Sequence, residues 1–269
     1  MPAPLSLRRK FLFGLTAAVV ILLALGAVTE GALRLAGYGH STGFFHETRD
    51  ADGHRWWREN RWVTAPYFPP ELIRRPQSIR LPQPKPPQTY RVFVLGSSAA
   101  MGDPEPAFSL SRTLDLLLRD AFPAVHFEVV NAGITAVNSH VVRALARDCA
   151  ELEPDLFIVY EGNNEVIGPY GPGTVFSPFQ SSAAMVRLGL ALQSLRTGQL
   201  ANAFVRHLGP DRAPLADWGG MRMFLKNEID RDDPRLATTR RLFHDNLVAI
   251  AKSGRNAGAS VMLCTVPRS

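Results

Sequence analysis

The chain has 269 residues, 46% of them hydrophobic, and a formal net charge of +6, which is enough material for one sizeable core with accessory segments. Residues 1–86 hold 12 Lys/Arg against 6 Asp/Glu, whereas residues 87–269 hold 18 of each. The excess charge is therefore N-terminal, and the larger part of the chain offers no basic footprint for a phosphate backbone, which excludes nucleic acid as the expected partner. Cys149 and Cys264 are the only cysteines and form no metal or redox motif, so neither a metal nor a cofactor is expected.

Arg8-Arg9-Lys10 precedes an uncharged run, Phe11–Thr29, of 19 residues dominated by Leu, Val, Ala, Phe and Ile. As a helix that length crosses the hydrocarbon of a bilayer. The basic cluster predicts a cytoplasmic N-terminus and a single pass, with everything after residue 29 in the periplasm or outside. A cleaved signal peptide with Ala24-Leu25-Gly26 as its small-x-small site is the alternative. The run exceeds the ~7–15 residues of a signal core, which favours an uncleaved anchor.

Residues 30–87 form a connecting region. Its first part carries Phe44, Phe45, Trp56, Trp57 and Trp62, aromatics that suit a membrane interface, a flap on the domain or a binding groove. Residues 64–87 then contain eight prolines. Such a stretch reads as an extended, semi-rigid spacer, with the folded domain beginning at Gln88.

From Tyr90 onward short apolar runs alternate with helical patterns. Strands are expected at Tyr90–Leu95, Phe127–Val130, Leu156–Tyr160 and Ser260–Val266. Helices are expected on the apolar face marked by Leu110, Leu114, Leu117, Leu118 and Ala121, near Ser139–Leu152, and across Arg235–Asn256 with Gly258 just past its end. This alternation predicts an α/β fold, a parallel sheet with helices on both faces. Right-handed crossovers put the loops that follow the strands on one edge, where ligands bind.

That edge can be read in three places: Gly96-Ser97-Ser98, Asn131-Ala132-Gly133, and Glu161-Gly162-Asn163-Asn164-Glu165. Ser98 offers a hydroxyl on a tight turn closed by Gly102. Gly133 offers a backbone N–H with no side chain in the way, and Asn164 a carboxamide N–H. A nucleophile beside converging donors suits acyl transfer, in which the donors hold the oxyanion of a tetrahedral intermediate.

These blocks resemble those of the SGNH hydrolase superfamily, also called GDSL-like esterases and lipases, in a membrane-anchored bacterial form. Gly96-Ser97-Ser98 is similar to the first block, Gly133 to the second and Gly162-Asn163-Asn164 to the third; the resemblance covers roughly Tyr90 to Ser269. It implies a flavodoxin-like parallel sheet in a three-layer sandwich, Ser98 as the nucleophile, and Gly133 with Asn164 as the oxyanion hole. Ser97 stands where the family usually has Asp, a residue that supports the turn. Glu165 stands where many members have Asp and is read as a charge at a helix N-terminus.

The family's fourth block, Asp-x-x-His, has no counterpart: none of the seven histidines has an Asp or Glu three residues before it. Serine without a base is a poor nucleophile at neutral pH. The expectation is a domain truncated before that block, spanning residues 88–269. His140 and His244 are read as surface or capping residues. An insertion at about 166–218 opens with Gly168-Pro169-Tyr170-Gly171-Pro172-Gly173, has helical periodicity over Ser181–Leu208, and is either a lid over the pocket or a decorative subdomain.

The functional expectation is an exported serine esterase-type hydrolase of carboxylic esters, with O-acyl groups on envelope glycans or lipids as partners. Two alternatives stand beside it: an O-acyltransferase, and a non-catalytic membrane-anchored binding protein on the same fold. A phosphate-cradling reading of Gly96–Gly102 lacks the Gly-Lys-Ser/Thr pattern.

Overall fold

The computed structural model describes residues 6–208 and 219–266. Along the chain run helix α1 (Leu7–Leu35), strands β1 (Phe45–Arg49), β2 (Arg55–Glu59), β3 (Arg80–Gln83) and β4 (Thr89–Gly96), and helices α2 (Ser98–Met101) and α3 (Leu110–Ala121). Strand β5 (His126–Gly133), helix α4 (Ser139–Ala150) and strand β6 (Leu156–Tyr160) follow. Helices α5 (Ala183–Ser194), α6 (Arg196–Leu208) and α7 (Arg235–Asn256) then lead to β7 (Ser260–Cys264). The chain divides into two compact units, one from the described residues of 1–40 and 188–212, the other from those of 41–187 and 213–269.

In the smaller unit, α1 is 29 residues long with a mean hydropathy of 2.6 over its most apolar stretch and no buried residue. It is long and apolar enough to cross a membrane.

The larger unit is built on a four-stranded parallel sheet of order β5-β4-β6-β7. Strand β4 is paired on both sides, and Val92, Phe93, Val94 and Leu95 are each wholly buried. A strand covered on both faces needs a continuous apolar run rather than alternation, which is why those four residues stand together. Val92 and Val94 pack with Ala100, Ile158 and Leu114 on the side of α2 and α3. Phe93 meets Phe157 edge-on at 6.0 Å on the opposite face. The predicted α/β sheet with helices on both faces is therefore the observed one. β5 continues through Asn131-Ala132-Gly133, with Gly133 paired to Gly96, so the second predicted loop is the last turn of a strand. At the sheet's other end the buried Arg91 donates from Nε to Glu128 Oε2 at 2.7 Å and from Nη1 to the Leu152 carbonyl at 2.6 Å.

The connecting region departs from the spacer expected for it. β1, β2 and β3 form an antiparallel sheet, in which Arg80 lies over the Trp56 ring at 3.8 Å and Trp56 Nε1 donates to Asp50 at 2.9 Å. Phe44, Leu72 and Leu81 are buried, the Phe44 N–H donates to Asp148 of α4 at 2.7 Å, and Lys85 Nζ donates to the Glu153 carbonyl at 2.9 Å. The prolines shape a segment held by packing: Pro82 sits in β3, an edge strand, where a missing N–H costs no ladder bond. In the insertion, the expected helical stretch Ser181–Leu208 is two helices, α5 and α6; residues 209–218 lie outside the described residues.

Candidate functional site

β4, β5 and β6 reach the same level, with Gly96 paired to Gly133 on one side and Tyr160 on the other. Their following turns therefore emerge side by side. After β4 the extended Ser97 precedes Ser98, the first residue of α2, and Gly102 closes that helix in the left-handed conformation at φ +85°. Glycine adopts this φ without a side-chain clash. Ser97 is fully buried and its hydroxyl donates to Asn163 Oδ1 at 2.7 Å, tying the β4 turn to the β6 turn. It thus supports the turn while Ser98 stays partly exposed.

Ser98 and Asn164 line one cavity of about 220 Å³, together with Asp103 and Thr135 as polar neighbours and Ile167, Met221 and Phe224 as apolar ones. Asn164 Nδ2 donates to the Val137 carbonyl at 2.9 Å. That bond uses one of the amide's two hydrogens and fixes the side chain, leaving the second for a ligand. Gly133 is placed differently. Its N–H donates to its neighbour Asn131 Oδ1 at 3.0 Å, and it does not line the cavity. A Cβ there would fall on Met101 N and lie 2.7 Å from Met101 Cα and 3.0 Å from Ala100 C. This glycine lets α2 close onto the end of β5.

Two carboxylates stand behind the β6 turn. Glu161 is buried and neither carboxylate oxygen has a hydrogen bond of ordinary geometry. Burial and then the nearby Glu165 push its carboxyl well above the usual range, against a smaller opposing pull from the Gly162 N–H and the Ser97 hydroxyl. Glu165 accepts from the Ser139 N–H at 2.8 Å and the Ser139 hydroxyl at 2.7 Å. Its carboxyl sits at a helix N-terminus, where the sequence placed a charge, and that helix is α4, whose own N-cap Asn138 makes no capping bond. Burial raises the Glu165 carboxyl to about 7, with the Ser139 donors working the other way.

Among the described residues no histidine lines the cavity, and no hydrogen bond joins the Ser98 hydroxyl to a side chain. His140 lies in α4 with Nδ1 facing Asn246 Nδ2 at 3.1 Å and its ring edge-on to Tyr170. Burial, helped by Arg143, lowers its pKa to about 4, so it is a neutral packing residue. His244 is exposed beside Asp245. Asp103 and Thr135, whose hydroxyl donates to Asp103 Oδ2 at 3.3 Å, were not singled out from the sequence. The available signal was position alone, one residue past Gly102 and two past Gly133.

In chain architecture the protein is similar to AlinE4, described as an SGNH-hydrolase family esterase, at 18% identity and a TM-score of 0.29, over 64% of this chain and 75% of that one. A second similar structure is a variant of Axe2, an acetyl xylan esterase from Geobacillus stearothermophilus, at 15% identity and a TM-score of 0.28 over the same shares. No family model matches the sequence, and no curated protein matches it.

Proposed function

We propose that the protein hydrolyses carboxylic esters through an acyl-serine intermediate on Ser98. The observation that carries this reading is that Ser98 and Asn164, from separate strand-end turns, line one cavity of about 220 Å³. In the proposed reaction the Ser98 hydroxyl attacks the ester carbonyl and the free N–H of the Asn164 carboxamide meets the developing oxyanion. Gly133 joins that hole only by exchanging its bond to Asn131 for one to the oxyanion. Ile167, Met221 and Phe224 receive the acyl group, and the space suits a short one. The substrates are O-acyl groups on envelope glycans or lipids, reached from a membrane anchor at α1 with the basic Arg8-Arg9-Lys10 on the cytoplasmic side. The reading requires a base delivered to Ser98 from outside the described residues.

The test is labelling of the native protein by a serine-reactive fluorophosphonate. Wild type should label and Ser98→Ala should not; undiminished labelling of Ser98→Ala removes Ser98 from the role. The Ser98 hydroxyl without a described partner favours a second reading, a non-catalytic module that binds an ester-bearing ligand in the same cavity. Absent labelling of the wild type with retained ligand binding would select it.

A further inference from the structure

The smaller unit contains an apolar surface that the esterase reading does not use. Residues 188–208 carry no Asp or Glu, and most of their large apolar side chains are exposed. Exposure is 53% for Leu188 and 51% for Leu192, then 40% for Leu200, 60% for Phe204 and 68% for Leu208. On α6, Leu200, Phe204 and Leu208 recur every four residues and form one stripe along the helix.

The part of α6 that meets protein is polar. The N–H groups of Arg196 and Thr197 donate to Glu30 of α1 at 3.1 and 2.9 Å, and the Thr197 hydroxyl donates to the same carboxylate at 3.1 Å. Gln199 Nε2 donates to the His40 carbonyl at 2.9 Å, and Gln199 Oε1 accepts from the His40 N–H at 3.0 Å. This arrangement is the reverse of a helix lying on a water-soluble core, which would bury the stripe and expose the polar residues. Exposed apolar surface of this kind marks an interaction site.

Its occupant follows from where α6 is fastened. Glu30 directly follows the uncharged run Phe11–Thr29, so it marks the level at which the hydrocarbon ends if α1 spans the bilayer. The first turn of α6 is pinned at that level. The basic residues on α6 are Arg196, Arg206 and His207, and the two arginines suit phospholipid phosphates. We propose that residues 188–208 form a second membrane element, lying in the interfacial layer. Leu200, Phe204 and Leu208 sit among the acyl chains, and Arg206 and His207 sit at the headgroups. This rests on the reading of α1 as a membrane span, and it makes part of the insertion after β6 a lipid contact.

The test uses the full chain with Cys149→Ala and Cys264→Ser, reconstituted in vesicles of phosphatidylethanolamine and phosphatidylglycerol. Single cysteines at Phe204→Cys, Asn202→Cys and Leu22→Cys carry an environment-sensitive fluorophore, and nitroxides are placed on shallow or deep acyl carbons. The Phe204→Cys probe should lose about half its emission to the shallow nitroxide, the Asn202→Cys probe on the polar side far less, and the Leu22→Cys probe should be quenched by the deep one. Equal, weak quenching at positions 204 and 202 with a quenched position 22 would overturn the inference and leave the anchor standing; a second copy or another protein would then cover the stripe. Failure of quenching at both 22 and 204 would overturn the anchor and the inference together.

Discussion

Replacing Glu165 with glutamine should stabilise the protein at about pH 8 and change little at about pH 4. The carboxyl moves from its ordinary 4.5 to about 7 on folding, chiefly through burial. Below the unfolded value both states hold the proton and the group contributes nothing to pH dependence. Between 4.5 and about 7 the unfolded chain has released the proton while the folded one keeps it, so stability falls as pH rises through that window. The shift corresponds to at most about 3.4 kcal/mol. Glu165 is partly exposed, and solvent screening brings the expected loss to about 1–2 kcal/mol. Glutamine keeps an acceptor for the Ser139 N–H and carries no charge to desolvate. Urea unfolding in detergent, followed by tryptophan fluorescence from about pH 4 to about pH 8, reads the effect directly. Glu161, also raised, adds a decline of the same sign that Glu161→Gln should remove. A wild-type profile that is flat or rises over this range, or one that Glu165→Gln leaves parallel to wild type, would refute the reasoning.

Asn164→Ala should lower esterase turnover by about 10²–10³, and a loss below about threefold would take Asn164 out of the oxyanion role. Gly133→Ala should cost about 1–3 kcal/mol in chemical denaturation, because the new methyl meets the α2 backbone; an unchanged midpoint would show that α2 does not close onto β5 as described. Arg91→Ala should cost about 3 kcal/mol by leaving the largely buried Glu128 unpaired, while Arg91→Met with Glu128→Leu should recover most of it. Equal losses in the single and double variants, read by urea unfolding, would count against the buried pair.

The parallel sheet was legible because β4 and β6 carry the uninterrupted apolar runs Val92–Leu95 and Leu156–Val159, and α7 was bounded by Gly258 at φ +83°. The small sheet of β1, β2 and β3 was not. Phe45-His46-Glu47-Thr48-Arg49 and Arg55-Trp56-Trp57-Arg58-Glu59 lack apolar alternation, since neither strand is fully buried, and Pro82 argues against a strand unless its edge position is known. At the site, Ser98 and Asn164 were readable from their turns, and the structure brings them to one cavity. That the Gly133 N–H is occupied depends on the Asn131 side chain two residues back, which no spacing rule encodes. Burial of Glu161 and Glu165 depends on α4 and α7 packing nearby, a tertiary property, so their altered protonation could not be read from a charged pair in a turn.

The pairing of β6 with β7 has a consequence in time. Residue Leu156 lies opposite Ser260, so about 100 residues must leave the ribosome after β6 before its second neighbour exists. At about 5–20 residues per second that interval is roughly 5–20 s. Throughout it β4, β5 and β6 can assemble while the far edge of β6, rich in Phe, Ile and Val, waits unpaired. Such an edge invites a wrong strand. The nascent protein therefore passes through a window in which a chaperone, or the local scarcity of other chains, decides its yield.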